Sequence, residues 1–166
     1  MDMISEQRLG AVHPELARRV RQLAEKCENN GMTIRVTQGL RTWAEQGVLF
    51  DQGRSKPGPI VTKAMPGHSA HQFGYAIDIV PDKNGFPAFV PDWDAMDVRW
   101  KQVLLLARSC GLAEGATWRT FPDFPHLYLA ELPADPDDNM RSLFTEGGYK
   151  ALWADWKLNV PETITT

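Results

Sequence analysis

The sequence predicts an α+β fold, a small antiparallel sheet flanked by helices. Three features carry that prediction. Helical apolar periodicity recurs in separate segments, strict alternation is confined to short runs, and Asn84-Gly85 signals a hairpin rather than a parallel crossover.

Pro14 suits a first helical position, and Leu16, Val20, Leu23 and Cys27 form one apolar stripe behind His13-Pro14. His13 is assigned to the helix start, and Asn29-Asn30-Gly31 to its end. Met32 to Thr37 alternates as a half-buried strand does, and Gly39 breaks it. Thr42 and Glu45 have capping-box spacing, so a second helix is expected to about Gln52. Gly53 to Pro66, with three prolines and three basic residues, reads as a long loop. Gly74 to Val80 reads as a strand, Asp82 to Gly85 as a turn, and Asp94 to Ser109 as a helix with Trp100, Val103, Leu104 and Ala107 facing the core. A further strand centres on His126 to Leu129. Beyond Pro133, two short helices are expected either side of Gly147-Gly148. This divides the chain into residues 1–132 and a helical extension, 133–166, packed on the same domain.

Composition narrows the function classes. The 166 residues carry 18 basic and 21 acidic side chains, a net charge of −3. That balance argues against a protein built to coat nucleic acid, where Lys and Arg contacts to phosphates dominate. Two cysteines cannot form a disulfide framework. No segment approaches the ~20 apolar residues of a membrane span, and the N-terminal residues do not read as a secretory signal. Synthesis in the cytoplasm is therefore expected, with release by a partner or exporter if the site of action lies outside. The length leaves little room for a separate anchoring domain, and a monomer is expected.

Four histidines are present, two of them at suggestive distances from carboxylates. In the strand predicted at 74–80, Asp78 shares a face with Ala76 and Gly74, leaving space for a bulky group such as a metal ion. His71 lies just before that strand and can fold back towards Asp78. His68 is a rival ligand. Asp123 precedes Pro125-His126, so a second carboxylate is presented near a strand-borne histidine. Two His and one Asp suit an open zinc site, and a neighbouring Asp123 suits the base of a metallohydrolase. Each histidine taken singly also fits an ordinary core or surface position.

Ser69-x-His71-x-x-Gly74-x-Ala76-x-Asp78 resembles the signature of the zinc D-Ala-D-Ala carboxypeptidase and L-Ala-D-Glu peptidase family, which shares its fold with the hedgehog signalling domain. Thr37 to Thr42, Glu45-Gln46, Gly53 to Gly58, Ile60 to Thr62 and Pro66-Gly67 extend the likeness towards the phage endolysin and sporulation-type L-alanyl-D-glutamate endopeptidases. The block Trp118 to His126 is similar to their last motif.

The resemblance implies that His71, Asp78 and His126 bind Zn2+, that Asp123 is the catalytic base, and that Arg41 stabilises a substrate oxygen. Ser69, Gln46 and Trp118 match positions expected to contact substrate. It implies hydrolysis of the L-Ala–D-Glu bond of peptidoglycan stem peptides, in the periplasm or wall after release through a holin lesion or exporter. D-Ala-D-Ala carboxypeptidase activity and a non-catalytic zinc-containing wall-binding module are the alternatives. Five basic and two acidic residues between Arg35 and Lys63 suit a carboxylate-rich peptide. Two departures border the expected cleft: Glu114 to Trp118 replaces a Gly-Gly-Asp-Trp turn, and Leu127-Tyr128 follows the last histidine. No Gly-x-Ser-x-Gly elbow points to a serine hydrolase, and Cys27 and Cys110 read as buried apolar residues.

Overall fold

The computed structural model describes residues 1–84, 88–156 and 158. Six helices and four strands follow in the order α1 (Met3–Leu9), α2 (Pro14–Asn29), β1 (Ile34–Gln38), α3 (Trp43–Asp51), α4 (Ala70–Phe73), β2 (Ala76–Pro81), α5 (Val98–Ser109), β3 (Leu112–Gly115), β4 (Asp123–Leu129) and α6 (Asp138–Asp155). The strands form one antiparallel sheet in the order β1-β2-β4-β3. This is the expected α+β architecture.

Alternation divides the sheet into two functional faces. Ile77 and Ile79 of β2 and Leu127 and Leu129 of β4 are fully buried, in one cluster with the α2 stripe Leu16, Val20, Leu23 and Cys27. Trp100, Val103 and Ala107 of α5 close the same core. Burying each such side chain contributes about 1.5–3 kcal/mol. Asp78 and His126, directly opposed in the β2–β4 register, belong to the other face.

Local signals account for most boundaries. Thr42 and Glu45 make the expected capping box at the start of α3. α5 begins at Val98 rather than Asp94, because the Asp97 side chain accepts from Arg99 N and caps the helix there. α6 runs through the two expected helices, with Gly147 and Gly148 in non-helical conformations between them. Of the Asn84-Gly85 hairpin signal, Gly85 lies outside the described residues; Lys83 N donates to Val90 O on the return strand.

Three elements were not anticipated: α1, β3 and α4. Gly74 is the positive-φ cap of α4 (φ 78°), not a strand residue sharing the face of Asp78. A Cβ on Gly74 would lie 2.8 Å from the Trp153 ring, so the glycine makes room for the C-terminal helix rather than for a metal.

His13 joins both ends of the chain. Its backbone N donates to Gly74 O, its Nδ1 accepts from Glu15 N, and its ring packs 5.3 Å from Trp153 and 5.4 Å from Trp156. Burial holds its pKa down to about 4. The unfolded chain takes up that proton near pH 6.5, so the folded state loses stability as pH falls from 6.5 towards 4 and keeps it fully above 6.5. His13→Asn retains a capping side chain without the titration. The unfolding free-energy difference between wild type and variant should shift by roughly 2–3 kcal/mol between pH 7 and pH 4. Denaturant titrations across that range check it, and a pH-independent difference would remove His13 as the source.

Candidate metal centre and cleft

Three elements bring the sequence-predicted ligands together. His71 stands on α4, Asp78 in β2 and His126 opposite it in β4. His71 Nε2 lies 3.1 Å from Asp78 Oδ1 and 3.1 Å from His126 Nδ1, and the last two atoms are 3.3 Å apart. Tetrahedral coordination with bonds of about 2.0–2.1 Å puts neighbouring donors about 3.3 Å apart, so this triangle has the size of one face of such a site. His68 lies in the cleft wall and outside the triangle.

The protonation states fit a cation. His71 Nδ1 is 3.0 Å from Gly39 O, so that nitrogen carries the proton and Nε2 turns a lone pair inward. His126 Nε2 has no hydrogen-bond partner, while its Nδ1 faces Asp78 Oδ1 and His71 Nε2. The two rings stand edge to face at 69°. Burial pushes the His71 pKa down and favours the neutral ligand form. Burial also opposes ionisation of Asp78, but imidazole protons of His71 and His126 that face it outweigh burial and hold that carboxyl far below its usual range. Two neutral imidazoles and one carboxylate are the donors of catalytic zinc and related sites.

The sheet is deformed on both sides of Asp78. β1 carries an extra residue between Val36 and Gln38, opposite Ile79 and Asp78. β4 arches away from β3, since Glu114 pairs with Leu127 while the next residue, Gly115, pairs with Asp123. Pro125 sits in the arch, where no ladder N–H is needed. A Cβ on Gly115 would come within 2.8 Å of Asp123 O and 3.2 Å of His126 Cβ, so only glycine lets β3 run beneath it. Such bulges re-aim side chains beside active sites; here the arch turns both Asp123 and His126 into one cleft.

That cleft, about 450 Å3, is also lined by Arg41, Ser69 and Trp118. Burial, followed by the charge of Asp78, raises the Asp123 pKa, and His126, His71 and Arg41 oppose the shift. Arg41 Nη2 lies 3.6 Å from Asp78 Oδ2 and its backbone N donates to His71 O. Trp118 packs 5.0 Å from the His126 ring. Lys63 reaches across the rim to donate to Thr120 O, over the Phe121 ring.

Gln46 is placed differently from the sequence expectation. It is fully buried and absent from the cleft wall. Its Oε1 accepts from Arg41 Nη1 at 2.9 Å, and its Nε2 donates to Ala64 O at 2.8 Å. The structure makes it the support behind Arg41, tied to the loop that follows α3.

The family description of D-alanyl-D-alanine carboxypeptidases of the VanY type matches residues 10–104. The chain is 34% identical over 122 residues to the peptidoglycan L-alanyl-D-glutamate endopeptidase CwlK of Bacillus subtilis (strain 168), covering 71% of this chain and 73% of that one. Its fold is similar to the Serratia marcescens L-Ala D-Glu endopeptidase ChiX, with TM-score 0.57 and 25% identity over 78% of this chain and 88% of that one. It also resembles a vancomycin-resistance D,D-pentapeptidase, VanY, solved in complex with Zn(II), with TM-score 0.54 and 15% identity over 82% of this chain and 79% of that one.

The donor triangle predicts one tight divalent-metal site. Saturating metal-free protein with Zn2+ at 100 times its Kd should raise unfolding stability by about 2.7 kcal/mol, and excess chelator should reverse the gain. His126→Ala should lose both the tight binding and the stabilisation. Calorimetric titration and thermal melts check this; equal binding by the variant would exclude His126 as a ligand.

Proposed function

The chain belongs to the VanY-type D-alanyl-D-alanine carboxypeptidase family, and from that premise we propose that it is a zinc peptidase cleaving the L-Ala–D-Glu bond of peptidoglycan stem peptides. The observation that carries this reading is the convergence of three metal-type donors, a raised-pKa carboxyl and a buried guanidinium on one cleft. The likeness to CwlK and ChiX favours the endopeptidase. The family match keeps D-Ala-D-Ala carboxypeptidase activity as the second reading.

His71 Nε2, Asp78 Oδ1 and His126 Nδ1 would hold a zinc ion. When bound, the metal supplies Lewis acidity towards the scissile carbonyl and brings the pKa of water down to about 7. Asp123 takes the proton of the attacking water on a carboxylate oxygen and returns it to the departing D-Glu nitrogen. Its raised pKa moves it towards the range where both transfers are efficient. Arg41 stays cationic despite burial, which lowers its pKa from the ordinary guanidinium value. Its charge stabilises the oxygen that becomes negative as the amide carbon turns tetrahedral. Gln46 Oε1 and His71 O keep that guanidinium and its backbone in place. Ser69 and Trp118 line the path of the peptide. Exposed Arg54, Lys56 and Lys63 attract its carboxylates.

We place the catalytic unit at residues 1–132 and read residues 133–166 as an extension packed on it, acting as a monomer on wall peptidoglycan. No helix among the described residues is long and apolar enough to cross a membrane. We further propose that the chain is made in the cytoplasm and meets its substrate through a holin-type lesion or an exporter.

Digestion of muropeptides followed by mass spectrometry tests the specificity. New N-terminal D-Glu is expected, whereas release of D-Ala alone would establish the carboxypeptidase instead. Asp123→Ala should retain zinc and lose at least 100-fold in turnover, as expected for a general base. His71→Ala should lose the metal itself. Full activity in either variant would sink the assignment of roles.

A further inference from the structure

α4, which carries His71, has only four residues. A helix this short does not sustain itself, because nucleation outweighs its few internal bonds. Its backbone carbonyls must be satisfied from outside. Ser69 O accepts from Gln72 N, Ala70 O from Tyr75 N, and His71 O from both Gly74 N and Arg41 N. The last two carbonyls are capped from far along the chain. Tyr149 Oη donates to Gln72 O at 2.9 Å, and Trp153 Nε1 donates to Phe73 O at 2.9 Å.

Both donors belong to the second half of α6, beyond the Gly147-Gly148 break. The break sets this half apart from the first, which sends Phe144 to stack on Trp43 of α3 at 4.8 Å and to meet Phe73 edge-on at 5.6 Å. The positive-φ Gly74 supplies the space in which the Trp153 ring lies. A donor, an accepting carbonyl and a glycine that admits the donor's ring are thus matched at one point.

We propose that Tyr149 and Trp153 are positioning residues for the metal centre, fixing the helix that presents His71 by completing its carbonyl hydrogen bonds. Neither residue touches the ligand atoms; each acts through backbone one or two positions from His71. The inference rests on the reading of His71 as a metal ligand, and it makes the C-terminal extension part of the site.

The test uses Tyr149→Phe, Trp153→Phe and the double variant, which keep aromatic packing and remove the donors. Metal-free full-length protein is titrated with Co2+, following its visible ligand-field bands, and with Zn2+ in competition with a chromophoric chelator. The double variant should bind about tenfold more weakly, the low end for outer-shell partners of a metal site, and its Co2+ spectrum should change. Val103→Ala, buried in α5 away from α4, is the control for general destabilisation and should leave affinity and spectrum unchanged. Wild-type affinity and spectrum in the double variant would overturn the proposal, as would an equal loss in Val103→Ala. If the double variant does not fold, the single variants are judged by the same two outcomes. His71→Ala separates the failures: tight binding that survives it overturns the ligand assignment itself, whereas its loss beside normal donor variants overturns only the positioning role.

Discussion

Two imidazole nitrogens and one carboxylate oxygen are held 3.1–3.3 Å apart in a sheltered pocket. With its Nδ1 proton given to Gly39 O, His71 turns the Nε2 lone pair inward, and ionised Asp78 offers only acceptors. The rest of the fold supplies the rigidity that sustains this spacing. One sheet face is closed by buried aliphatic side chains, so its pleat is fixed and Asp78 and His126 are forced to the opposite face. The third donor, His71, comes from outside the sheet, on a single turn that is held by external contacts.

The charged groups around this centre form a graded series. Asp78 is driven strongly towards ionisation by the imidazoles, while Asp123, facing Asp78 from the arch, is driven the other way. Two aspartates in one cleft are thereby set apart, one held as an anion and one pushed towards the protonated form. Arg41 pairs with Asp78 at 3.6 Å, and buried Gln46 holds the other end of its guanidinium from behind.

Features governed by local chemistry were legible in the sequence. The α2 stripe, the Thr42–Glu45 box and the alternation that puts Asp78 opposite Ile77 and Ile79 follow from neighbours within a turn or a pleat. The pairing of His71 and Asp78 with His126 was legible from the spacing of residue types and from the resemblance those motifs carry. What was hidden depends on distant partners. β3 is a four-residue Leu-Ala-Glu-Gly run that becomes a strand by pairing with β4, and α4 is a single turn completed by tertiary bonds. Gln46 carries the right residue type, but nothing local reveals that its amide faces Arg41 and Ala64 rather than the cleft. Gly115 looked like a departure from a familiar turn; the space it provides beneath the β4 arch is apparent only in three dimensions.

The hydrogen bonds from Tyr149 and Trp153 also order events in time. Translation delivers α4 and both its flanking strands long before residues 149 and 153 leave the ribosome, and domains begin folding from the N-terminal side. Until that last stretch of α6 emerges, the carbonyls of Gln72 and Phe73 have neither donor. A chain that stops short of Tyr149 and Trp153 therefore carries His71 on a turn whose last two carbonyls are uncapped, so the order of synthesis runs from the donors of the cleft to the bonds that steady one of them.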